Sequence, residues 1–392
     1  MQLDSKEVEI LEGKYGKAVK KSMEIITTLG EIYGANRLVD VSSVQVAGVS
    51  YANLGEAGLE FINEMAEDGK TKVLTTLNPA GMDLENWRDL GIDSKFAENQ
   101  RRVIKAFEKM GIISTCTCTP YFIGNLPHFG EHIAWSESSA VCYANSVLGV
   151  RTNREGGPSA LAAALIGKTA EYGLHLDENR QAELTISVEA QISETFRFGA
   201  LGKVIGDGAE GKIVYIRGIS KASVEELKSF CASIATYGGI PMFHMEGITP
   251  ECKSTQIPKE VMTIRESDID KVIEELTDDS EVDFVSIGCP HCSINEIAKI
   301  AELLRGRKVK KELWITTARP IKEIADRMGY SKVIEASGAK FACDTCCVVA
   351  PIKGRFKTLC TDSAKGCYYA RGKNKFNTKL TSIEGCLEVA LN

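Results

Sequence analysis

No apolar run in the 392-residue chain approaches the roughly 20 residues that cross a bilayer. A membrane-spanning helix is therefore not expected. The stretch MQLDSKEVEILEGKYG is charged and holds no apolar core of the secretory type, so a cytoplasmic protein is expected. A basic excess is also missing: 47 Lys and Arg stand against 53 Asp and Glu, a net charge of −6. Nucleic-acid-binding proteins usually carry such an excess, so no nucleic-acid partner is expected. There is no exact internal repeat and no low-complexity segment. What remains is an ordinary globular composition, 44% hydrophobic and 26% charged, long enough for two or three domains.

Cysteine is the residue in surplus. Thirteen is an odd number, so they cannot all pair within the chain. A core of this size needs no disulfide staple. In a reducing compartment, clustered cysteines point to metal or redox chemistry. Scattered ones such as Cys231, Cys252, Cys367 and Cys386 read as small buried hydrophobes.

Patterning gives alternating strands and helices. Helical periodicity covers 5–33 with a break at Gly13 and Gly16, then about 59–67, 96–110 and 224–237. Strand-like runs fall at 38–46, 73–77, 183–190, 212–218, 283–288 and 312–317. This is the pattern of an α/β protein with a largely parallel sheet, whose ligands collect beyond the carboxyl ends of the strands. AGVSYANLGEAG and NPAGMD read as loops after strands, which makes Ser50, Tyr51, Asn53 and Asn78 candidates for substrate hydrogen bonds or simple turn residues. The glycine-rich GDGAEGK at 206–212 reads as a domain boundary.

Three cysteine loops carry the chemistry: CTC at 116–118, CPHC at 289–292 and CDTCC at 343–347. Loops at the ends of three strands can converge on one point. Thiolates are soft ligands suited to iron–sulfur centres, and a cubane with three of them leaves one iron open as a Lewis acid. Two rivals stay open: a four-cysteine zinc site from the two C-x-x-C pairs, and a thiol–disulfide exchange centre at Cys289 and Cys292. Neither explains the Cys116/Cys118 loop or the long polar stretch after it, up to about residue 160. That stretch looks like an anion site. Arg151 and Arg154 can clamp a carboxylate or phosphate, while Gly156, Gly157 and Ser159 offer N–H groups at a helix start. His128 is either a proton donor or a structural histidine.

The segments GVSYANLGE, TLNPAGMD, TCTPY, SESSAVCYANSVLGVRTNREGGPSAL, GCPH and CDTC together resemble the aconitase X family, over most of the chain. The resemblance implies a three-domain α/β architecture around a central cleft. Residues 1–210 would hold the first two domains and the main active-site loop. Residues 211–340 would form the third domain with GCPHC, and 341–392 a C-terminal segment returning CDTCC to the cleft. It also implies a hydro-lyase with a [4Fe-4S] cluster, which air can degrade to fewer irons. The length matches the archaeal branch, in which a separate small subunit supplies the swivelling domain and the catalytic serine. The implied reaction is dehydration of (R)-mevalonate 5-phosphate to trans-anhydromevalonate 5-phosphate in isoprenoid synthesis, with cis-3-hydroxy-L-proline as the rival substrate. The family motifs single out Cys118, Cys289 and Cys346 as ligands. His128, Glu137 and Ser138 become catalytic candidates. Ser50, Tyr51, Asn53, Asn78, Ser139, Asn145, Arg151, Asn153, Arg154, Gly157 and Ser159 become candidates for holding a small anionic substrate.

Overall fold

The computed structural model describes residues 1–392 and resolves the alternating pattern into separate parallel sheets. The first runs 74–77, 43–46, 134–135 across its strands. Its central strand, Ser43–Val46, is buried at every residue, as strands covered on both faces must be. The covering helices are built locally. Helix Ser94–Lys109 starts where the Asp93 carboxylate accepts the N–H groups of Lys95 and Phe96. Its Ala97, Val103, Ile104 and Phe107 then form one buried face. A small antiparallel pair, 38–40 with 168–170, closes this domain.

The second sheet runs 243–245, 214–217, 184–188, 261–264. The third runs 340–343, 312–317, 284–292, 358–361, 377–380. Both are parallel throughout. No helix is long and apolar enough to cross a membrane.

Two expected boundaries are corrected. The glycine run near 210 lies inside the second domain: helix Thr195–Gly208 is the crossover between parallel strands 184–188 and 214–217. A parallel pair needs such a crossover, and the glycines only turn the chain at its end. Residues 341–392 are likewise no separate segment, since they supply strands 358–361 and 377–380 of the third sheet. The expected loop at Ser50–Asn53 is also largely helix. Ser50 is the N-cap of Tyr51–Met65, and Gly55, at φ 60°, kinks that helix.

One repeat escapes the sequence. Strand Ala134–Trp135 leads to helix Ser138–Tyr143, a wide π-type turn at 144–148 and a left-handed Gly149. Strand Thr358–Thr361 leads to helix Ala364–Tyr369, a wide turn at 370–374 and a left-handed Lys375. The two units face each other across the cleft between the first and third domains.

Candidate active site

The cleft holds a cavity of about 210 Å³. The first domain lines it with Asn53, Asn78, Pro79, Cys118 and Glu137. The third domain lines it with Cys289, Pro290 and Cys346, then with Val348, Val349, Lys365, Tyr369 and Lys373. The second domain gives no lining residue. It backs the site instead: Lys228 Nζ donates to the His291 carbonyl at 3.0 Å and pairs with Glu296.

Local backbone geometry turns each ligand candidate inward. Gly288 adopts φ 106° just before Cys289, and a Cβ there would sit 2.4 Å from the Thr316 carbonyl oxygen. Pairing with strand 312–317 shifts register at this point. The bend that only glycine tolerates thus aims Cys289 at the cavity. Its partner Cys292 is fully buried in the apolar core of the third domain, in the same cluster as Cys343. Cys347 packs in another core cluster and Cys116 in the core of the first domain. Each cysteine loop therefore contributes one cavity thiol. The C-x-x-C pairs are split between cavity and core, so they form neither a four-cysteine zinc site nor an exchangeable dithiol.

His291 ties the three loops together. Its backbone N–H donates to Cys118 Sγ at 3.3 Å. Its Nε2–H donates to the Thr345 carbonyl at 2.9 Å, which leaves Nδ1 to accept from Thr117 Oγ1 at 3.0 Å. Burial pushes its pKa down to about 4, so the ring is neutral. Asp83, Arg319 and Asp344 form a second tie. Arg319 pairs with both carboxylates, and Asp83 Oδ2 accepts the Cys343 N–H at 2.9 Å. The Ala80 N–H donates to the Asp344 carbonyl at 2.8 Å, which pins NPAGMD to CDTCC. His291→Ala is expected to lower unfolding free energy by about 1–3 kcal/mol, because it orphans buried hydrogen-bonding groups. Denaturant unfolding checks this, and Thr117→Val should give the smaller share of the loss.

The donor set fits an iron–sulfur centre. No three Cys, His, Asp or Glu side chains converge closely enough for a single ion. Sulfurs around one zinc lie about 3.8 Å apart by tetrahedral geometry, whereas a polynuclear cluster spreads its ligands more widely. The His291 amide donates to Cys118 Sγ. Such a bond favours the thiolate that a cluster requires. Burial, with Glu137 and Cys346 adding to it, pushes the Cys118 thiol up to about 12, so its proton leaves only on binding metal.

Opposite the thiols sits a buried ion pair, Lys365 with Glu137. Glu137 caps helix Ser138–Tyr143 through the Ala140 N–H at 2.8 Å and accepts from Ser139 Oγ. Burial acts to raise its pKa, but Lys365 and these hydrogen bonds win and hold it below the usual carboxylate range. Burial likewise acts to lower Lys365, and Glu137 with Cys289 holds it well above an ordinary lysine. Ser139 and Lys365 occupy equivalent places in the two repeated units.

The other candidates lie elsewhere. His128 is exposed, with its N–H on Glu131 at 2.8 Å. Ser138 is half-buried and outside the cavity. Ser50 is buried beneath Gly81, and Tyr51 turns its hydroxyl to Glu56 at 3.2 Å. Asn145 spends its amide on Thr152 and Pro241 backbone and receives Arg180. Asn153 bridges Tyr172 and Leu174. Arg151 pairs with Asp177. Arg154 is exposed, without an ionic partner, and outside the cavity.

The expected anion site at the glycine turn is filled by the chain itself. The Ser159 hydroxyl donates to Glu155 at 2.5 Å and accepts the Gly156 N–H at 3.0 Å. Gly157 lines a separate cavity together with Glu155. The Ser159 hydroxyl is therefore already engaged by a carboxyl group of the chain. Arg154→Ala is accordingly expected to leave substrate preference within about twofold of wild type, as surface charges far from a site do; steady-state kinetics checks it. Lys365 and Lys373 were missed because the tail beyond Lys353 shows no helical period. The short echo of Tyr143-Ala144 in Tyr369-Ala370, each at the start of a wide turn, was the available signal.

Comparison with known proteins gives the family. Models of the aconitase X first, second and third domains match residues 1–178, 182–274 and 282–392. The chain belongs to the aconitase X family. It is 48% identical to the phosphomevalonate dehydratase large subunit of Methanocaldococcus jannaschii, over 99% of this chain and 100% of that one. It is 32% identical to the cis-3-hydroxy-L-proline dehydratase of Pseudomonas aeruginosa, over 100% of this chain and 70% of that one. The crystal structure of Thermococcus kodakaraensis aconitase X in its holo form superposes with a TM-score of 0.93 at 46% identity, covering 100% of both chains. The matched domains agree with the sheets described above, with seams in the links near 180 and 278 rather than at 210. As an aconitase X chain, this protein has the expected three-domain α/β fold, with a cleft whose lining comes from the first and third domains.

Proposed function

We propose that the chain is the large, cluster-bearing subunit of an aconitase X hydro-lyase that dehydrates (R)-mevalonate 5-phosphate to trans-anhydromevalonate 5-phosphate. One observation carries the reading: Cys118, Cys289 and Cys346 reach one small cavity from three separate loops, and the facing wall holds amides and ammonium groups instead of a fourth thiol. Full-length relatives named as phosphomevalonate dehydratase large subunits support the substrate.

An iron–sulfur centre held by these three thiolates would supply a Lewis-acidic iron with a position open to a hydroxyl and a carboxylate oxygen. Lys365 keeps its proton, so it donates a hydrogen bond into the cavity and takes none. Asn53 stands at the rim, and the buried Asn78 Oδ1 has no partner in the chain, free to accept from a substrate hydroxyl. Glu137 is unfit as a base because Lys365, Ser139 and Ala140 already occupy its oxygens. The group that removes the carbon-bound proton therefore comes from the separate small subunit, as a serine in the family pattern. The subunit naming of the relatives supports such a partner.

The test is turnover by the two subunits co-purified without oxygen. NMR should show alkene formation from (R)-mevalonate 5-phosphate, with mevalonate and cis-3-hydroxy-L-proline as rival substrates. Consumption of hydroxyproline alone would overturn the substrate.

A further inference from the structure

The cavity contains one cation that no carboxylate of the chain neutralises. Lys365 is matched by Glu137, and Arg151, outside the cavity, by Asp177. Lys373 lines the same cavity and takes part in no ion pair. Its Nζ donates to the carbonyls of Val348 at 2.8 Å and Val349 at 3.3 Å, which hold it in place without offsetting its charge. It is half-buried, and burial lowers its pKa. An uncompensated ammonium taken partly out of water costs stability. The fold does not demand it. In the repeated unit the same place in the wide turn is Val147, which packs against the apolar core. Wide π-type turns are often found at functional positions.

The segment after Cys346 is polarised. Its Val349 N–H donates to the Cys346 carbonyl at 3.2 Å, and its carbonyls at 348 and 349 accept from Lys373. The strip thus turns back on the ligand residue at one end, and its carbonyls hold a positive charge at the cavity wall. From this we infer that Lys373 binds the phosphate end of the substrate, leaving the hydroxy-acid end for the thiol-lined side. Lysine acts as a point charge for phosphate, and a dianion gains more from it than a carboxylate does. The inference rests on the proposed function and names the residue that distinguishes a phosphorylated hydroxy acid from a plain one.

The experiment uses the complex with the small subunit, purified without oxygen, carrying Lys373→Ala or Lys373→Arg. For (R)-mevalonate 5-phosphate, Lys373→Ala is expected to raise KM about 10- to 100-fold, the worth of a charge-assisted hydrogen bond. Its kcat and iron content should stay near wild type, and Lys373→Arg should recover most of the loss. Methyl phosphate, titrated by calorimetry, should bind wild type and fail to bind Lys373→Ala, with acetate unaffected. An unchanged KM with unchanged methyl phosphate binding would overturn the assignment. So would loss of iron in Lys373→Ala, which would mark a role at the cluster. If wild type turns over only phosphate-free acids, the substrate reading fails, and methyl phosphate binding still decides Lys373.

Discussion

Cys289→Ala, purified without oxygen with its small subunit, is expected to lose the iron–sulfur absorption and at least about 10³-fold of dehydratase activity, because Lewis-acid stabilisation is worth several kcal/mol. Cys118→Ala and Cys346→Ala should behave alike. Cys292→Ala and Cys343→Ala, although only three residues from a cavity thiol, should keep their iron. They are fully buried among apolar neighbours, and truncation there is expected to cost only roughly 0.5–2 kcal/mol of stability. Iron and sulfide analysis beside denaturant unfolding separates the two classes. Equal loss of iron from Cys289→Ala and Cys292→Ala would defeat the assignment of one thiol per loop.

Lys365→Met should be the most destabilising change at the site. Both members of the pair with Glu137 are less than a tenth exposed, so removing the ammonium strands a buried carboxylate. The expected cost is about 3–5 kcal/mol in unfolding free energy. The double change Lys365→Met with Glu137→Gln should recover much of it, since no charge is then left unpaired. The sign with pH follows from the shifts. Glu137 is held below its unfolded value, so its contribution is present above about pH 4.3 and fades as pH falls through its lower folded value. Lys365 is held above its unfolded value, so its contribution is full below about pH 10.4 and fades only in stronger alkali. The gap between wild type and Lys365→Met should thus be widest between about pH 5 and 10 and close in acid. A gap that stays constant down to about pH 2 would show that packing, and not charge, underlies the loss.

Much of the fold was legible in the chain. Strands 43–46, 284–292 and 312–317 are buried at nearly every residue because their sheets are covered on both faces. Helices 94–109 and 224–237 announce themselves through a periodic apolar face. The boundary at 210 misled because glycines that turn a βαβ crossover look like glycines that link domains. The arginines misled in the same way. Arg151 and Arg154 follow a strand and precede a helix start, but Asp177 is 26 residues further on, and Glu155 already occupies the glycine turn.

By itself the sequence determined the α/β class, the three cysteine loops and the family, because periodicity and contiguous segments are properties of the chain. It also held a clue to the split pairs. Cys289 and Cys292 lie an odd number of residues apart, the spacing that separates faces in a regular strand, although the chain bends at Gly288. Only the tertiary structure decided which face is cavity and which is core. It alone brought Lys365 to Glu137, 228 residues away, and set Lys373 beside the segment after Cys346. The physical reason is that a wide turn breaks the 3.6-residue period that sequence reading depends on. The charge balance of a cavity, moreover, depends on partners that adjacency in the chain cannot name.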